Sequence, residues 1–336
     1  MINLSIVKEL EKVVSPLFLV GGCVRDTILE QTPKDIDLTT PVFPDEVQKK
    51  FKKAGYKLYE VGIRFGTVGI KVEDKIIEIT TFRKEKYEKD NRKPEVNFVK
   101  DLESDLSRRD FTINAIAMDS SGKIIDPFAG QTDLIAKIIR CVGMPKARFK
   151  EDALRMLRAG RFASQLGFTV EQSVEDTAKQ LAYKILTISK ERWVIELDKL
   201  LMTDKPEIGL DFFAKTRLLN YILPEIALQV GYNQNSPYHS LELWEHTLGV
   251  VKDSPKDLNI RWSALLHDIG KPFVRKDKKD GSVSNYVTHD FIGGEFVEKI
   301  ASYLKWSSDR KDIVKNLVLN HLEEDSPLKE ADERSK

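Results

Sequence analysis

The chain has 336 residues, with 54 lysines and arginines against 53 aspartates and glutamates, for a formal net charge of +1. That length allows two or three domains, and the balanced charge excludes a globally basic nucleic-acid binder, so any such contact has to come from local patches. With no run near the ~20 apolar residues of a membrane span, no basic-then-apolar N-terminus, and only Cys23 and Cys141 as packing cysteines, the chain reads as a soluble cytoplasmic protein.

Residues 6–13 read as an opening helix ended by Ser15 and Pro16. The apolar run 17–20 reads as a buried strand. Gly21 and Gly22 then let the backbone turn tightly and approach a ligand before a helix begins at Val24. That geometry suits a phosphate, because helix N–H groups point at it and Arg25 adds a positive charge. In Asp35-Ile36-Asp37-Leu38 the two-residue period of a strand puts both carboxylates on one face and both aliphatics on the other. Paired hard oxygen ligands beside a phosphate cradle call for Mg2+.

Pro44 and Asp45 start a helix through Phe51, after which residues 56–61, 66–72 and 75–82 alternate like antiparallel strands. Glu78 lies within Ile76-Ile77-Glu78-Ile79, where a charge needs a partner. It is read either as a third carboxylate beside Asp35 and Asp37 or as an outward residue on an edge strand. Residues 83–100 carry many charges and little apolar content, so they read as a mobile loop of the kind that acts as a lid. Residues 107–118 read as a helix on which Asp110 and Asn114 share a face while Ile113, Ile116 and Ala117 pack. Arg109 and Asp110 would hold sugar and phosphates. Residues 126–130 read as a turn.

Residues 151–161 read as a second informative helix, with Asp152, Arg155, Arg158 and Arg161 on one half and Ala153, Met156, Leu157 and Gly160 on the other. A solvated arginine stripe is the bland reading. The sharper one is a recognition pair: Asp152 accepts from an exocyclic amino group while Arg155 donates to a ring nitrogen. Cytosine and adenine present that pattern, and uracil and guanine present the reverse, so such a pair would select C and A without a nucleic-acid template.

From about 171 to 223 the pattern is helical, and 223–237 reads as a connector. The last region is helical and holds all five histidines, His239, His246, His267, His289 and His321. His246, His267, Asp268 and His289 are the candidate ligands of a metal centre. Imidazoles with a carboxylate suit Mn2+, Co2+, Ni2+ or Zn2+. Asp290 beside His289 is read as closing the set, and the resemblance of His246, His267-Asp268 and His289 to the metal-dependent HD phosphohydrolases implies a final aspartate for which Asp290 and Asp312 are candidates; the charged run from Glu323 reads as frayed.

The order of strand, Gly-Gly turn, helix and Asp-x-Asp resembles the nucleotidyltransferase superfamily. Residues 18–201 are similar to class II, bacterial-type tRNA nucleotidyltransferases, the CCA-adding enzymes, whose head the bacterial poly(A) polymerases share. The matching residues are Gly21-Gly22 with Arg25 and Asp26, Asp35 and Asp37, Arg108 through Ala115, Asp126 to Gly130, Glu151-Asp152 with Arg155 and Arg158, and Glu191-Arg192 to Leu201. The resemblance implies an α+β fold: a nucleotidyltransferase head with a mixed sheet (1–143), an all-α neck that reads the base (144–230), and an all-α domain similar to the HD phosphohydrolases (231–336). It implies transfer of CMP, AMP or both from CTP and ATP to a tRNA 3′ end by two-metal catalysis, with Asp35 and Asp37 at the catalytic centre, where Glu78 is the candidate third carboxylate from its place in the aliphatic run. Gly21, Gly22, Arg25, Arg109, Asp110, Asn114, Asp152, Arg155, Arg158 and Arg161 would bind the nucleotide. A complete loop at 84–100 points to CCA or A addition over CC alone. The body and tail that grip tRNA in this family need more length than follows the histidine region. A poly(A) polymerase, or a nucleic-acid-binding scaffold with an inactive head, is the alternative.

Overall fold

The computed structural model describes residues 4–59, 62–86, 95–235, 241–278 and 284–335. They fall into two compact units, Met1–Asp152 and Ala153–Lys336. In the first, α1 (Leu4–Glu11) leads to β1 (Phe18–Val20), α2 (Gly22–Ile28), β2 (Asp37–Thr40), α3 (Pro44–Lys53), β3 (Leu58–Tyr59), β4 (Thr67–Val72) and β5 (Lys75–Thr81). Then come β6 (Arg83–Lys86), β7 (Glu95–Phe98), α4 (Leu102–Ser107), β8 (Ala117–Asp119), β9 (Ile124–Ile125), α5 (Gly130–Ala136) and α6 (Pro145–Glu151).

Seven strands form one mixed sheet in the order β3-β4-β5-β2-β1-β8-β9, as expected of a head. β2 runs parallel to β5, and the other neighbours are antiparallel. Leu38, Val68, Ile70, Ile77 and Ile79, from three adjacent strands, are buried. Each stabilises by roughly 1.5–3 kcal/mol when fully removed from water. Alternation then leaves Asp37 and Glu78 on the opposite face, and a one-residue slip would drive both carboxylates into the core. Glu78 therefore sits on an interior strand of the sheet and not on an edge.

Three local expectations are corrected. Asp35 lies in a bend before β2, which begins at Asp37, so the two aspartates are not both strand residues. Residues 107–118 are not a helix: Phe111 bridges Cys141, Thr112–Asn114 form a 3-10 turn, and β8 follows. Residues 83–100 are not a featureless loop, because β6 and β7 pair antiparallel from Arg83 opposite Phe98 to Lys86 opposite Glu95. The Phe98 ring packs edge-on against Phe43, with centroids 5.8 Å apart. Residues 87–94, the middle of the expected lid, lie outside the described residues.

The second unit is helical apart from short two-residue strands. It runs through α7 (Leu154–Leu166), α8 (Gln172–Leu181), α9 (Lys190–Leu201), α10 (Pro206–Lys215), α11 (Leu219–Ile222) and α12 (Pro224–Ala227). It continues with α13 (Leu243–Asp253), α14 (Leu258–Leu266), α15 (Lys271–Val274), α16 (His289–Leu304), α17 (Ser308–Leu319) and α18 (Lys329–Arg334). Two glycines set the approach of α7 and α10. A Cβ on Gly209 would collide with the Gly160 carbonyl, and one on Gly160 would lie against the Phe213 ring. The Ser164 hydroxyl accepts from the Gly209 N–H at 2.8 Å and closes the contact.

Two more corrections belong to this stretch. The helix expected over 151–161 breaks at Asp152, whose φ of −145° and ψ of 106° are extended, so α6 and α7 are separate. The run after Glu323 is not frayed: α18 is folded, with Leu328, Ala331 and Asp332 buried.

Candidate functional site

In the first unit, the turn from β1 into α2 is fixed by Gly21, whose φ of +76° favours glycine. A Cβ there would lie 2.8 Å from Arg109 Nη1, so the missing side chain is what lets Arg109 come over the turn. Asn114 ties this region together. Its side-chain oxygen accepts from Arg25 Nη1 at 2.8 Å, and its amide donates to Asp110 Oδ1 at 3.3 Å. Asp110 and Asn114 thus meet as expected, through a 3-10 turn in place of a helix face.

Arg25, expected to offer its charge to a phosphate, is 3% exposed and engages Asp26 at 2.6 Å as well as Asn114. It braces the turn.

Asp105, missed from sequence, is fully buried beneath the two arginines. It accepts from Arg108 Nη2 at 2.8 Å and from the Arg83 backbone N–H at 3.2 Å, and it lies 3.6 Å from Arg109 Nη2. A buried carboxylate needs such partners, and a charge just before an arginine pair was the available signal. Burial lowers the Arg109 pKa, and Asp105 counteracts it.

Glu78 is the direct register partner of Asp37. Asp37 keeps an open side, yet desolvation pushes its carboxyl up; Arg109 pulls it back and Asp35 adds to the rise. Burial likewise raises Glu78, with Asp37 and Asp35 adding to it. Asp35 thus adds to the rise at both Asp37 and Glu78, and a dication held by these hard oxygens would relieve that repulsion. Their oxygens are not drawn into a tight cluster: among the described residues, ligand atoms converge within 4.8 Å only in the second unit.

On α7, Arg155 and Arg161 are buried. Arg161, expected among the nucleotide contacts, is engaged within its own unit. Its Nε pairs with Glu196 Oε2 on α9 at 2.5 Å, its Nη1 donates to Gln165 at 2.8 Å, and its guanidinium lies 3.9 Å from the Phe162 ring centroid. Arg158 reaches the other Glu196 oxygen at 3.7 Å. Glu196 was not foreseen, although a glutamate inside Trp193-Val194-Ile195-Glu196-Leu197 is a charge in an apolar helical run.

The second unit holds another constellation. His246 comes from α13, His267 and Asp268 from the end of α14, His289 from the first position of α16, and His321 from just beyond α17. Asp332 arrives from α18, and all six are buried. His321 and Asp332 were not among the expected ligands, and His239 lies outside the described residues. Asp332 takes the place expected of Asp290 or Asp312, the latter 67% exposed beside Lys311.

Each ring nitrogen Nδ1 faces a backbone carbonyl: His246 that of Ser335 at 3.0 Å, His267 that of Ala264 at 2.7 Å, His289 that of Tyr286 at 2.8 Å and His321 that of Val318 at 2.7 Å. A carbonyl only accepts, so in each ring Nδ1 carries a proton and Nε2 is the nitrogen turned inward, able to offer a lone pair to a metal that displaces its proton. Burial opposes protonation of His246, but Asp268 and Asp332 raise it to about 9, while burial and His267 take His321 down to about 4. Burial alone would raise Asp268; His267 and Lys271 overcome it and hold the carboxyl well below the usual range. Converging imidazole nitrogens with carboxylates fit a transition metal.

Three family models match: the poly A polymerase head domain over residues 17–140, the probable RNA and SrmB-binding site of polymerase A over 167–229, and the HD domain over 238–335. The CCA-adding enzyme of Lactiplantibacillus plantarum is 45% identical over 225 residues, covering 67% of this chain and 54% of that protein. The CCA-adding enzyme of Bacillus subtilis is 35% identical over 320 residues, covering 93% of this chain and 76% of that protein. The chain thus spans about half the length of one curated relative and three quarters of another. Among solved structures, the Bacillus stearothermophilus CCA-adding enzyme in complex with CTP superposes with a TM-score of 0.68 at 31% identity, covering 99% of this chain and 80% of that one.

Proposed function

The chain belongs to the family of CCA-adding enzymes, and from that membership we propose that it adds CMP, AMP or both from CTP and ATP to a tRNA 3′ end in the cytoplasm, without a nucleic-acid template. The observation that carries the reading is the pairing of Asp37 with Glu78 on one face of the sheet in a unit that also holds Arg109 over the Gly21 turn. Asp35, Asp37 and Glu78 would hold Mg2+, which when bound activates the 3′-hydroxyl and stabilises the leaving pyrophosphate. Gly21 and Gly22 leave room for phosphates; Arg109, Asp110 and Asn114 orient phosphate and sugar; Arg25 braces them. Asp152, Arg155 and Arg158 would read the base edge, and Arg161 holds the helix through Glu196. This divides the labour among 1–143 for catalysis, 144–230 for base choice and 231–336 for the second centre.

For that centre we propose metal-dependent hydrolysis of phosphate esters with Mn2+, Co2+, Ni2+ or Zn2+, on substrates such as 2′,3′-cyclic or 2′-phosphate RNA ends. The primary test incubates the full chain with tRNAs ending before CCA, after the first C and after the second C, one nucleotide at a time, and resolves products singly. A fixed CCA or A end supports the proposal. A run of adenylates identifies a poly(A) polymerase, and no incorporation identifies a scaffold.

A further inference from the structure

We infer that the helices of the HD region help set the choice of nucleotide: Arg310, acting through Asp198 and Glu196 on α9, is a positioning residue for Arg158 on α7. The inference rests on the proposed reading of Arg158 as a base contact and goes beyond it, because it gives a residue far along the chain from α7 a part in selection. Helix positions two apart lie about 200° from each other around the axis, so Glu196 and Asp198 leave α9 on nearly opposite sides. Buried Glu196 holds Arg161 Nε at 2.5 Å and Arg158 Nη1 at 3.7 Å. Asp198 meets helices of the stretch 238–335 that matches the HD domain, whereas α9 itself lies in the stretch 167–229 that matches the RNA-binding model.

The hold on Asp198 is geometrically specific. Arg310 of α17 donates from Nη2 to its Oδ1 at 2.7 Å and from Nη1 to its Oδ2 at 3.0 Å, a fork that fixes the plane of the carboxylate as well as its distance. Trp262 of α14 donates its indole N–H to Oδ1 at 2.8 Å. The guanidinium is stacked in turn, 4.5 Å from the Trp306 ring centroid and 5.4 Å from that of Trp262. The ends of α9 are held from the same region. At its start Lys190 lies 3.4 Å from the Tyr303 ring centroid on α16, and exposed Glu191 pairs with Lys305. At its finish buried Arg261 of α14 donates to the carbonyls of Leu201 and Thr203, at the end where a helix leaves its carbonyls without partners. That cap acts along the axis and the Glu191 pair is solvated, so the fork at Asp198 is what resists rotation of α9. Rotation would carry Glu196 with it. The two arginines would not respond equally: the Arg161 side chain is 9% exposed and closely paired, while that of Arg158 is 34% exposed and held at the longer distance. Arg158 is the one that shifts, and base-edge hydrogen bonds are the contacts that discriminate.

The test measures kcat/KM on the full chain, for CTP and UTP with tRNA ending before CCA and for ATP and GTP with tRNA ending after the second C. Arg310→Ala is expected to lower the CTP-over-UTP and ATP-over-GTP ratios by about 2- to 30-fold, the range over which changes along a packed network alter coupling. Lys315→Ala, on the same helix but paired with Glu298, leaves the ratios unchanged. A variant that is merely less folded lowers all four values in proportion and cannot move the ratios. Added to Glu196→Gln, Arg310→Ala should have less than its separate effect; full additivity overturns the route through α9. Unchanged ratios in Arg310→Ala with shifted ratios in Arg158→Ala overturn the inference and leave the base-contact reading standing. Unchanged ratios in Arg158→Ala overturn both. All four tryptophans lie in the second unit, so their fluorescence gives each variant's unfolding midpoint. Arg310→Lys, which keeps the charge and loses the fork, replaces Arg310→Ala if that chain does not fold.

Discussion

Asp37 and Glu78 face each other across the parallel ladder of β2 and β5, while their neighbours Leu38 and Ile79 pair on the buried side. One register therefore builds both the core and the acidic face, and the acidic face works against stability. Both carboxyls are raised by burial and by neighbouring carboxylates. A raised folded-state pKa contributes stability below the unfolded value and loses it as pH rises through the folded one.

The metal-free first unit should thus lose stability as pH climbs above the ordinary carboxylate range of about 4. Asp37→Asn should protect β2 and β5 from hydrogen exchange more than wild type does at pH 7, and not at pH 3. Mg2+ should narrow the difference. The same change should cut nucleotide incorporation on the order of 10³-fold, since several kcal/mol of charge stabilisation depends on the ligand. Wild-type incorporation by this variant would remove Asp37 from the catalytic centre.

Asp152→Ala should erode discrimination against UTP and GTP more than it weakens triphosphate binding, because base-edge hydrogen bonds choose and phosphate contacts hold. The measurement is kcat/KM for all four nucleotides. Equal losses for all four would make Asp152 structural.

Glu196→Ala leaves Arg161 buried without its partner and takes a contact from Arg158. Removing one member of a buried pair typically costs about 3–5 kcal/mol. Denaturant titration followed by tryptophan fluorescence reads the second unit alone and should show a loss of that size; less than about 1 kcal/mol would mean the pair is solvent-screened.

Cys23 is buried, and burial pushes its thiol up to about 11. Neither it nor buried Cys141 should react with a maleimide at pH 8 until denaturant is added. By the same linkage, Cys23 contributes stability that is lost as pH rises from the ordinary thiol value of about 9 toward 11. Rapid labelling of the native protein would show that the β1–α2 turn opens.

Shortening the β6–β7 hairpin between Lys86 and Glu95 should weaken A addition more than C addition if this segment helps the base pocket change, and an unchanged ratio would reduce it to a linker.

The strand, Gly-Gly turn and helix at 18–28 were legible because alternation and glycine are local signals. Where every side is buried, periodicity misleads: Phe111 through Ala117 are all buried, so the helix-like spacing of Ile113, Ile116 and Ala117 says only that the segment is inside. The β6–β7 ladder is made by main-chain groups, which the charges of Arg83 through Lys86 conceal. No glycine or proline announces the break at Asp152. His246, His267, Asp268 and His289, singled out from their types and spacing, do lie together in one candidate cluster, but Asp332 joins them by tertiary packing of α18 from 64 positions beyond Asp268, a relation no local pattern contains.

Gly160 and Gly209 let α7 and α10 come close, so the helix that carries Arg155 and Arg158 is seated by the Gly160 carbonyl beneath Gly209 together with the Phe213 ring against Gly160. Its seating cannot be retuned in small steps. A methyl group at either glycine would press α7 away from α10, so on the proposed reading of Arg155 and Arg158 as base contacts, a graded change in nucleotide choice is sought on the arginine face and not on the far side of that helix.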